Sequence, residues 1–365
     1  MKIAYLFGSL NRGGTETLLL DVFKNASKAD FDFIGIHRKV GVLKNDFYDT
    51  GQRFFKLTPK FPVDIFYFFK LRKLLKKENV QIVHAQQCLD ALYAWIACLG
   101  TNIKVVQTFH GYDDLDLNKK NKLAAFTAKR TDKNFFVSQS TRDFYVQKYS
   151  LNIAKQAVVY NGISFEKLDK ITDFEELEFR KKTDLFLGAV GNFNSVRDQM
   201  TVCRFLNLLN KQNADFHFVF VGKKVESEAF LYGDCVNFCK ENNLLEKTHF
   251  LGTRDDVPAI LKQLDAFVYS TDHDTFGIAV IEAIAAGIPV FVNDWEVMTE
   301  ITNNGKLAVL YKTKDEQDLF EKFMLFLHNR SEYIQKAKEN SQIVRDKFSI
   351  EKHLQNLKKE YESIC

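Results

Sequence analysis

Short apolar runs alternate with longer stretches of helical periodicity along almost the whole chain, and this alternation limits the fold more than any other feature. In the first half the predicted strands are Lys2–Phe7, Phe31–His37, Phe54–Leu57, Gln81–His84, Lys104–Phe109, Asn134–Val137 and Ala157–Tyr160. In the second half they are Leu185–Val190, His217–Val221, His249–Leu251, Ala266–Tyr269, Ile288–Val292 and Ala308–Leu310. Because strands that alternate with helices form βα units, the pattern predicts an α/β protein with parallel sheets.

The series of strands restarts near residue 185, after the charged segment Glu166–Asp184. A chain of 365 residues is also long enough for about two domains. We therefore predict one α/β domain over residues 1–165 and a second over residues 166–346, with a helical tail from Glu316 onward. Two such domains would face each other across a cleft at their strand ends, where parallel sheets bind ligands.

The composition excludes several classes of protein. Apolar residues make up 46% and charged residues 27% of the chain, as in soluble globular proteins. A formal net charge of +4 is too small to indicate a nucleic-acid partner. The six cysteines form no CxxC pair, which favours a reducing compartment. No apolar run reaches the length of about 18 residues that a spanning helix needs, so we expect a cytoplasmic protein.

The stretch from Phe267 to Glu300 carries the strongest sign of chemistry. It predicts a buried strand, a polar loop, a helix and a second buried strand. Asp274 precedes the predicted helix, and Glu282 lies about two turns further along it. A helix that starts at the carboxyl end of a strand offers free N–H groups and a positive dipole end to a phosphate. An ordinary amphipathic helix with an acid at its N-terminus also explains the acid spacing taken alone.

The spacing Asp274-x7-Glu282, followed by Ala-x-Ala-Ala-Gly-x-Pro-Val, resembles the donor-site motif of retaining glycosyltransferases of family 4. That family usually has Glu where this chain has Asp274. The resemblance implies the GT-B fold, in which two Rossmann-like domains face each other across a cleft and the final helix, here residues 347–365, crosses back onto the N-terminal domain. It implies transfer of a sugar from a nucleotide-diphosphate sugar to a glycan or lipid-linked saccharide acceptor.

The same resemblance implies roles for individual residues. Asp274 would accept hydrogen bonds from sugar hydroxyls and Glu282 from the ribose. Backbone N–H groups of the segment Thr275, Phe276, Gly277 and Ile278 would bind the leaving diphosphate. The resemblance also implies a mechanism in which the leaving phosphate helps to deprotonate the acceptor, and the lack of an evident enzymic nucleophile in the sequence agrees with it.

Two features of the N-terminal half fit this reading. The loop Gly13-Gly14-Thr15-Glu16 follows the first strand and is similar to the glycine loop of the family, although a tight turn that needs glycine also explains it. It is not a GxGxxG fingerprint, so a nicotinamide cofactor is disfavoured. His110 ends a predicted strand at the position where family members have a histidine that contacts the donor sugar. His84 is interpreted as a packed or capping residue.

The first turn of the second domain runs from Gly191 to Arg197. The family commonly has a Gly-Arg pair and then a Lys that binds the donor diphosphate. Asn192 stands at the Arg position, and Arg197 stands at the Lys position, where it can bind phosphate with two hydrogen bonds. Two later strand ends carry glycines that allow backbone contact with a nucleobase. These ends are Gly222-Lys223 and Gly252-Thr253-Arg254.

Asp114-Leu115-Asp116 and Asp272-His273-Asp274 both match the metal-binding DxD pattern of a different glycosyltransferase fold. Such short matches arise often by chance. We predict that the enzyme needs no metal and no cofactor beyond its nucleotide-sugar substrate, and we expect full activity in excess chelator.

Residues 61–79 combine a core-facing stripe with a second face of aromatic and basic residues. The stripe is Tyr67, Phe68, Leu71, Leu74 and Leu75, and the second face is Phe66, Phe69, Lys70, Lys73 and Lys77. One hypothesis is that the second face docks on the anionic inner surface of the cell membrane. The alternative is a helix buried on two sides with a solvated lysine edge. Further basic residues of the same domain are Lys119, Lys120, Lys122, Lys129 and Arg130.

Two other functions stay open. One is a related enzyme of the same fold, such as a sugar-phosphate synthase or an epimerase. The other is a non-catalytic nucleotide-binding component of a glycan-assembly complex. A composition rich in Lys and Phe and poor in Pro hints at an AT-rich bacterial genome, and therefore at surface polysaccharide synthesis.

Overall fold

The computed structural model describes residues 1–29, 31–61, 64–112, 118–171, 177 and 185–365. The chain divides into two compact units. Unit 1 consists of Met1–Ile163 and Phe348–Cys365, and unit 2 of Ser164–Lys347. The two junctions therefore follow Ile163 and Lys347, whereas the sequence placed them after residues 165 and 346. Most of the predicted boundary segment Glu166–Asp184 lies outside the described residues.

Within the described part of unit 1, seven parallel strands form one sheet. The strands are β1 (Lys2–Ser9), β2 (Asp32–Lys39), β3 (Arg53–Lys56), β4 (Ile82–Ala85), β5 (Lys104–Phe109), β6 (Lys133–Phe136) and β7 (Gln156–Val158). Their spatial order is β3-β2-β1-β4-β5-β6-β7, and every neighbouring pair is parallel. The order reverses between β1 and β4. The helices are α1 (Gly14–Lys24), α2 (Lys44–Tyr48), α3 (Ile65–Lys77), α4 (Cys88–Cys98), α5 (Asn118–Arg130) and α6 (Gln139–Tyr149).

Within the described part of unit 2, six parallel strands form a second sheet. The strands are β8 (Leu185–Val190), β9 (Phe216–Val221), β10 (Thr248–Gly252), β11 (Ala266–Tyr269), β12 (Val290–Asn293) and β13 (Val309–Tyr311). Their spatial order is β10-β9-β8-β11-β12-β13, with the reversal between β8 and β11. The helices are α7 (Glu166–Asp169), α8 (Gln199–Lys211), α9 (Ala229–Glu241), α10 (Val257–Gln263), α11 (Ile278–Ala285), α12 (Glu296–Ile301), α13 (Glu316–His328) and α14 (Arg330–Phe348).

The last helix, α15 (Ile350–Glu362), belongs to unit 1. It begins at Ser349, whose side chain accepts a hydrogen bond from Lys352 N, as an N-cap serine does. Its apolar side chains recur at helical spacing and join the core on one face of the sheet. These side chains are Ile350, Leu354, Leu357 and Tyr361.

Both faces of the sheet in unit 1 are covered. Alternate residues of β1 point to opposite faces, so Ile3, Tyr5 and Phe7 pack in the core that contains α1 and α15. Ala4 and Leu6 pack in the core that contains α3 and α4. A strand that is buried on both sides must be apolar throughout, and for this reason the short apolar runs predicted the strands well.

The helix α3 has the predicted core-facing stripe. Tyr67, Leu71 and Leu75 are buried, and Phe68 and Leu74 pack partly against the same core. The alternative of a helix buried on two sides is wrong. Its second face lies outside the core, with Phe66 74% and Phe69 67% exposed. Of the basic residues predicted in the same domain, the side chains of Lys119 and Lys120 lie outside the described part of the chain.

None of the helices that the structure describes is both long enough and apolar enough to cross a membrane.

Candidate functional site

The loops that follow β8 and β11 lie side by side at one edge of the sheet in unit 2. Val196 O accepts hydrogen bonds from Thr271 Oγ1 at 2.6 Å and from Asp272 N at 3.2 Å. Asp198 N donates to Ser270 O at 3.2 Å. Parallel sheets bind ligands where their strand order reverses. In unit 2 the order reverses between β8 and β11, the two strands that these loops follow. The two loops therefore form the candidate site of unit 2.

Arg197 is held between an acid and an aromatic ring in these loops. Its Nη1 lies 3.1 Å from Asp274 Oδ2, and its guanidinium lies 5.1 Å from the ring centre of Tyr269. The Tyr269 hydroxyl donates to the same Oδ2 at 2.7 Å. Burial lowers the pKa of Arg197, but Tyr269 and Asp274 raise it, and the net shift is upward. The guanidinium is therefore a fixed positive charge.

Part of this guanidinium remains available to a ligand. Arg197 Nε is buried and has no hydrogen-bond partner among the described residues, whereas Nη1 is engaged in the ion pair with Asp274. Gly191 lies beside Nε, and a Cβ at that position would come to 3.0 Å from it. A buried cation with an unsatisfied donor is well suited to an oxyanion, which would supply the missing acceptor.

The carboxylate of Asp274 is engaged within its own loop. Oδ1 accepts hydrogen bonds from the backbone N–H groups of Thr275 at 2.8 Å and Phe276 at 3.4 Å, and Oδ2 serves Arg197 and Tyr269. Its side chain is only 11% exposed. The resemblance implied sugar hydroxyls as partners of Asp274, and N–H groups of Thr275 and Phe276 directed at a phosphate. In this structure these groups are occupied with one another.

The helix α11 begins after Gly277, which has a φ of 77°. This backbone conformation favours glycine, and a Cβ there would also displace the end of the Met298 side chain, whose Cε would lie 2.7 Å away. Val280 N and Ile281 N donate to Gly277 O at 3.0 and 3.2 Å, so the N–H groups of Ile278 and Ala279 are the ones that the helix itself does not satisfy. Glu282 is partly exposed in the middle of α11. The predicted order of strand, loop, helix and strand is confirmed.

A second set of contacts joins the ends of β8 and β9. Asn192 Oδ1 accepts a hydrogen bond from Lys223 N at 3.1 Å, so the Asn192 side chain fixes the neighbouring loop. Gly222 has a φ of 157°, and a Cβ there would lie 2.1 Å from Gly191 O. The two loops can approach each other this closely because position 222 carries glycine.

The end of β10 carries the remaining residues predicted to bind the donor. Gly252 has a φ of 65°, and Thr253 is exposed. Arg254 donates two hydrogen bonds to Asp256, at 2.7 Å from Nε and 2.6 Å from Nη2. This pairing neutralises Arg254 at the position where sequence reasoning placed a ligand contact.

Sequence reasoning missed the residue that supports the Asp274 loop. Asn293, at the end of β12, is fully buried. Its side chain accepts from Thr271 N at 2.9 Å and donates to Thr271 O at 2.8 Å and to Thr313 Oγ1 at 2.8 Å. The available signal was a polar residue directly after a buried apolar strand.

In unit 1, His110 follows β5, and its Nε2 lies 2.9 Å from Gln86 Oε1. Burial lowers the pKa of His110 to about 4. The ring is therefore neutral near neutral pH, and Nε2 carries the proton that Gln86 accepts. Gln86 is itself buried, and its Nε2 has no hydrogen-bond partner among the described residues. The pair lines a small cavity together with Thr108 and Asn161.

The glycine loop of unit 1 starts α1. Gly13 is the N-cap in an extended conformation, and a Cβ there would lie 2.6 Å from Glu16 Oε2. Gly14 has open space where a Cβ would be. Ser9 Oγ donates to Glu16 Oε1 at 3.3 Å. Glu16, in the first turn of α1, therefore connects this helix to the end of β1.

The interpretation of His84 as a packed residue is confirmed. Its ring is buried, with Nδ1 2.6 Å from Tyr361 OH and Nε2 2.7 Å from Thr108 Oγ1.

Of the two DxD matches, Asp114 and Asp116 lie outside the described residues. In the other match, Asp272 pairs with Lys314 at 2.8 Å and Asp274 pairs with Arg197. The part of the chain that the structure describes contains no group of three His, Cys, Asp or Glu side chains able to hold a metal ion. Metal independence stays a prediction.

Family models match both halves of the chain. The model described as Glycosyltransferase Family 4 matches residues 12–167, and the model described as Glycosyl transferases group 1 matches residues 169–344.

Individual relatives have low sequence identity to this chain but match it over most of its length. N-acetyl-alpha-D-glucosaminyl L-malate synthase of Bacillus anthracis is 23% identical over 303 residues, which cover 80% of this chain and 77% of that protein. UDP-Gal:alpha-D-GlcNAc-diphosphoundecaprenol alpha-1,3-galactosyltransferase of Escherichia coli is 24% identical over 311 residues, which cover 80% and 79%. The capsular polysaccharide biosynthesis glycosyltransferase CapH of Staphylococcus aureus is 23% identical over 297 residues, which cover 78% of both.

Solved structures share the fold over the full length. A glycosyltransferase from Rickettsia africae ESF-5 gives a TM-score of 0.86 at 18% identity, covering 100% of this chain and 98% of that one. Anabaena Alr3699/HepE in complex with UDP gives a TM-score of 0.85 at 17% identity, covering 100% of both chains. Since its two halves match these family models and its fold is that of GT-B glycosyltransferases, the chain belongs to glycosyltransferase family 4.

Proposed function

We propose that this glycosyltransferase transfers a sugar from a nucleotide-diphosphate sugar to a glycan or lipid-linked saccharide, with retention of the anomeric configuration. The observation that carries the proposal is Arg197. A fixed guanidinium that is paired with Asp274 and keeps its buried Nε unsatisfied lies at the strand reversal of unit 2, where a diphosphate would find charge and a donor together. Preorganised donors of this kind stabilise the charge that develops on a leaving group.

In the proposed reaction the bond between the sugar C1 and the diphosphate oxygen breaks, and the acceptor hydroxyl forms the new C1–O bond on the same face. The acceptor proton passes to the leaving phosphate. Arg197 and the first N–H groups of α11 stabilise that phosphate, Glu282 binds the ribose, and His110 hydrogen-bonds the sugar. Asp274 positions Arg197, a role suggested by the ion pair between them. The glycine-bearing ends of β9 and β10 contact the nucleobase.

The names of two relatives support the proposed class of acceptor. They are named for a diphosphoundecaprenol-linked acceptor in Escherichia coli and for capsular polysaccharide biosynthesis in Staphylococcus aureus. These names support our proposal that this enzyme acts in bacterial surface polysaccharide synthesis, and we propose that it does so at the inner face of the cell membrane.

Slow hydrolysis of the donor tests the stereochemistry without knowledge of the acceptor. The enzyme is incubated with a panel of UDP-, GDP- and ADP-sugars, and the first sugar released is followed by proton NMR. A retaining enzyme releases the anomer present in the donor, with water in place of the acceptor. First appearance of the opposite anomer would refute retention, and loss of all turnover in Glu282→Ala with wild-type stability would support the ribose contact.

A further inference from the structure

Gln86 is a buried amide in unit 1 that contacts the ring of His110. It directly follows β4, and its backbone N–H continues the pairing of that strand with β1 by donating to Leu6 O at 3.0 Å. Its side chain reaches the end of β5, where Gln86 Oε1 lies 2.9 Å from His110 Nε2. Gln86 is only 3% exposed. A paired backbone and a buried side chain therefore hold this contact in place.

The contact decides which nitrogen of His110 carries the proton. Burial lowers the pKa of His110 to about 4, so the ring has a single N–H group near neutral pH. Because an amide oxygen can only accept, the nitrogen that faces Gln86 Oε1 must be the protonated one. Nδ1 then carries the lone pair, and any hydrogen bond at Nδ1 is one that the ring accepts.

The other end of the Gln86 amide supports this orientation. Gln86 Nε2 is buried and has no hydrogen-bond partner in the part of the chain that the structure describes. It lines a cavity of about 10 Å³ together with His353, which is about the space that one water needs. His353 Nδ1 donates to Tyr160 O at 2.6 Å, so its other nitrogen carries a lone pair. A water in this cavity would accept from Gln86 Nε2 and donate to His353.

We propose that Gln86 is a positioning residue for sugar transfer. It holds His110 in the form that is protonated on Nε2, so that Nδ1 accepts a hydrogen bond from a hydroxyl of the donor sugar. This inference rests on the proposed function, since it specifies how His110 contacts that sugar. It also implies a selectivity, because a site that is built to bind a hydroxyl rejects an analogue that lacks it.

The tautomer of His110 can be measured without any substrate. Proton–nitrogen NMR spectra of the full-length protein with isotopically labelled histidine distinguish the protonated from the unprotonated ring nitrogen, and His110→Gln identifies the His110 signals by their loss. Near neutral pH we expect wild type to be protonated on Nε2. Gln86→Met keeps the length of the side chain and removes its acceptor, so it should convert His110 to a mixture of the two tautomers.

Gln107→Met is the matched control. Gln107 of β5 is also fully buried, and neither polar atom of its amide has a hydrogen-bond partner among the described residues. It points to the opposite face of the sheet from its neighbour Thr108, which lines the cavity. Gln107→Met therefore removes a buried amide from the same sheet and should leave the tautomer of His110 unchanged.

Slow hydrolysis of the donor tests the role of Gln86 in the reaction. Gln86→Met should lower kcat/KM for the nucleotide sugar by about tenfold, the loss expected for one hydrogen bond. The thermal shift induced by the nucleoside diphosphate alone should stay that of wild type, because this ligand has no sugar for His110 to contact. Among donor analogues with one sugar hydroxyl replaced by fluorine, which cannot donate, wild type should reject one more strongly than Gln86→Met does.

The outcomes separate this inference from the proposed function. Protonation of His110 on Nδ1 in wild type, or an unchanged tautomer in Gln86→Met, overturns the inference even if the enzyme transfers sugar. An equal loss of kcat/KM in Gln86→Met and Gln107→Met, or an equal loss of affinity for nucleotide and nucleotide sugar in Gln86→Met, also overturns it, because Gln86 would then only stabilise the fold. Absence of turnover in wild type with every nucleotide sugar contradicts the proposed function, and the NMR spectra then still test the tautomer.

Discussion

Arg197 and Asp274 define what the paired loops of unit 2 can bind. Their ion pair is largely buried, with side chains 20% and 11% exposed. The Tyr269 hydroxyl donates a hydrogen bond to the same carboxylate. In the free protein the charge of Arg197 is therefore balanced by Asp274 of the neighbouring loop. When a diphosphate arrives, it competes with Asp274 for the guanidinium, so the stability of the free protein and the affinity for phosphate are linked through the same atoms.

Asp274→Asn tests this link. The substituted side chain can still accept from Thr275 and Phe276 through Oδ1, but Arg197 loses its counter-charge. Removing one partner of a buried pair costs about 3–5 kcal/mol, which urea denaturation would measure as a lower free energy of unfolding. A bound diphosphate supplies the missing anion, so UDP should raise the melting temperature of Asp274→Asn more than that of wild type.

Asp272→Asn is the control. Its partner Lys314 is 64% exposed, and exposed pairs contribute about 0–1 kcal/mol. If UDP raises the melting temperature of wild type and Asp274→Asn equally, Asp274 does not position Arg197. Its remaining proposed role would then be a contact with the sugar.

The sequence located these residues but not their partners. Arg197 and Asp274 could be found because each follows a strand and precedes a helix, which is local information. Tyr269 and Arg197 both contact Asp274. This shared contact depends on the directions of side chains from two different strands, and the spacing of residues in the sequence does not determine those directions.

The outer face of helix α3 is an exposed surface that the proposed reaction does not use. Between Ile65 and Lys77 it contains no acidic residue, and its exposed residues divide into an apolar N-terminal part and a basic C-terminal part. The apolar part is Ile65, Phe66 and Phe69, and the basic part is Lys70, Lys73, Lys76 and Lys77. An aromatic and basic face of this kind fits the interface of an anionic bilayer.

Replacing Phe66 and Phe69 together by Ser should weaken binding to anionic vesicles by at least about tenfold, because burying each ring contributes about 1.5–3 kcal/mol. Phe230→Ser is the matched control, since Phe230 is 63% exposed in unit 2. Sedimentation at low and high salt measures the effect, and salt should weaken binding by screening the lysines. Absence of wild-type binding at low salt would rule the surface out.

The predicted strands all occur, because a parallel strand covered on both faces is a continuous apolar run. The first and last residues of the strands were predicted less accurately. β12 begins at Val290 rather than Ile288, since Pro289 has no N–H for the sheet. The exposure of Phe66 and Phe69 could not be decided from periodicity, because aromatic residues at helical spacing are equally compatible with a second core.

The return of the C-terminal helix joins the two ends of the chain in one core. Tyr361 of α15 contacts His84 of β4 and Tyr5 of β1 at 3.1 Å. His353 Nδ1 lies 2.6 Å from Tyr160 O. Gly162 makes room for this helix, because a Cβ there would lie 2.6 Å from His353 Cβ. Unit 1 therefore includes a segment that is separated in sequence from the rest of the unit by the whole of unit 2.

The buried histidines make this attachment sensitive to pH. Burial lowers the pKa of His353 to about 4, whereas an unfolded histidine titrates near about 6.5. Between these values the unfolded chain binds more protons, so stability falls as the pH falls. For His353 alone the loss from about pH 7 to about pH 5 is about 2 kcal/mol.

Urea denaturation at both pH values, in wild type and His353→Gln, measures this contribution. The substitution should reduce the loss of stability on acidification, and His328→Gln, which removes an exposed histidine of α13, should leave it unchanged. An identical pH dependence in His353→Gln and wild type would show that His353 does not control the attachment.

A thermal-shift comparison of wild type and Arg197→Gln with UDP, GDP, ADP and CMP examines the donor site itself. A ligand at 100 times its Kd stabilises by about 2.7 kcal/mol, which raises the midpoint by several degrees. We predict such a shift for one nucleobase in wild type and in Arg204→Gln, which removes an exposed cation from α8, and loss of the shift in Arg197→Gln. No shift of wild type with any nucleotide, or an undiminished shift in Arg197→Gln, would contradict nucleotide-sugar transfer through this site.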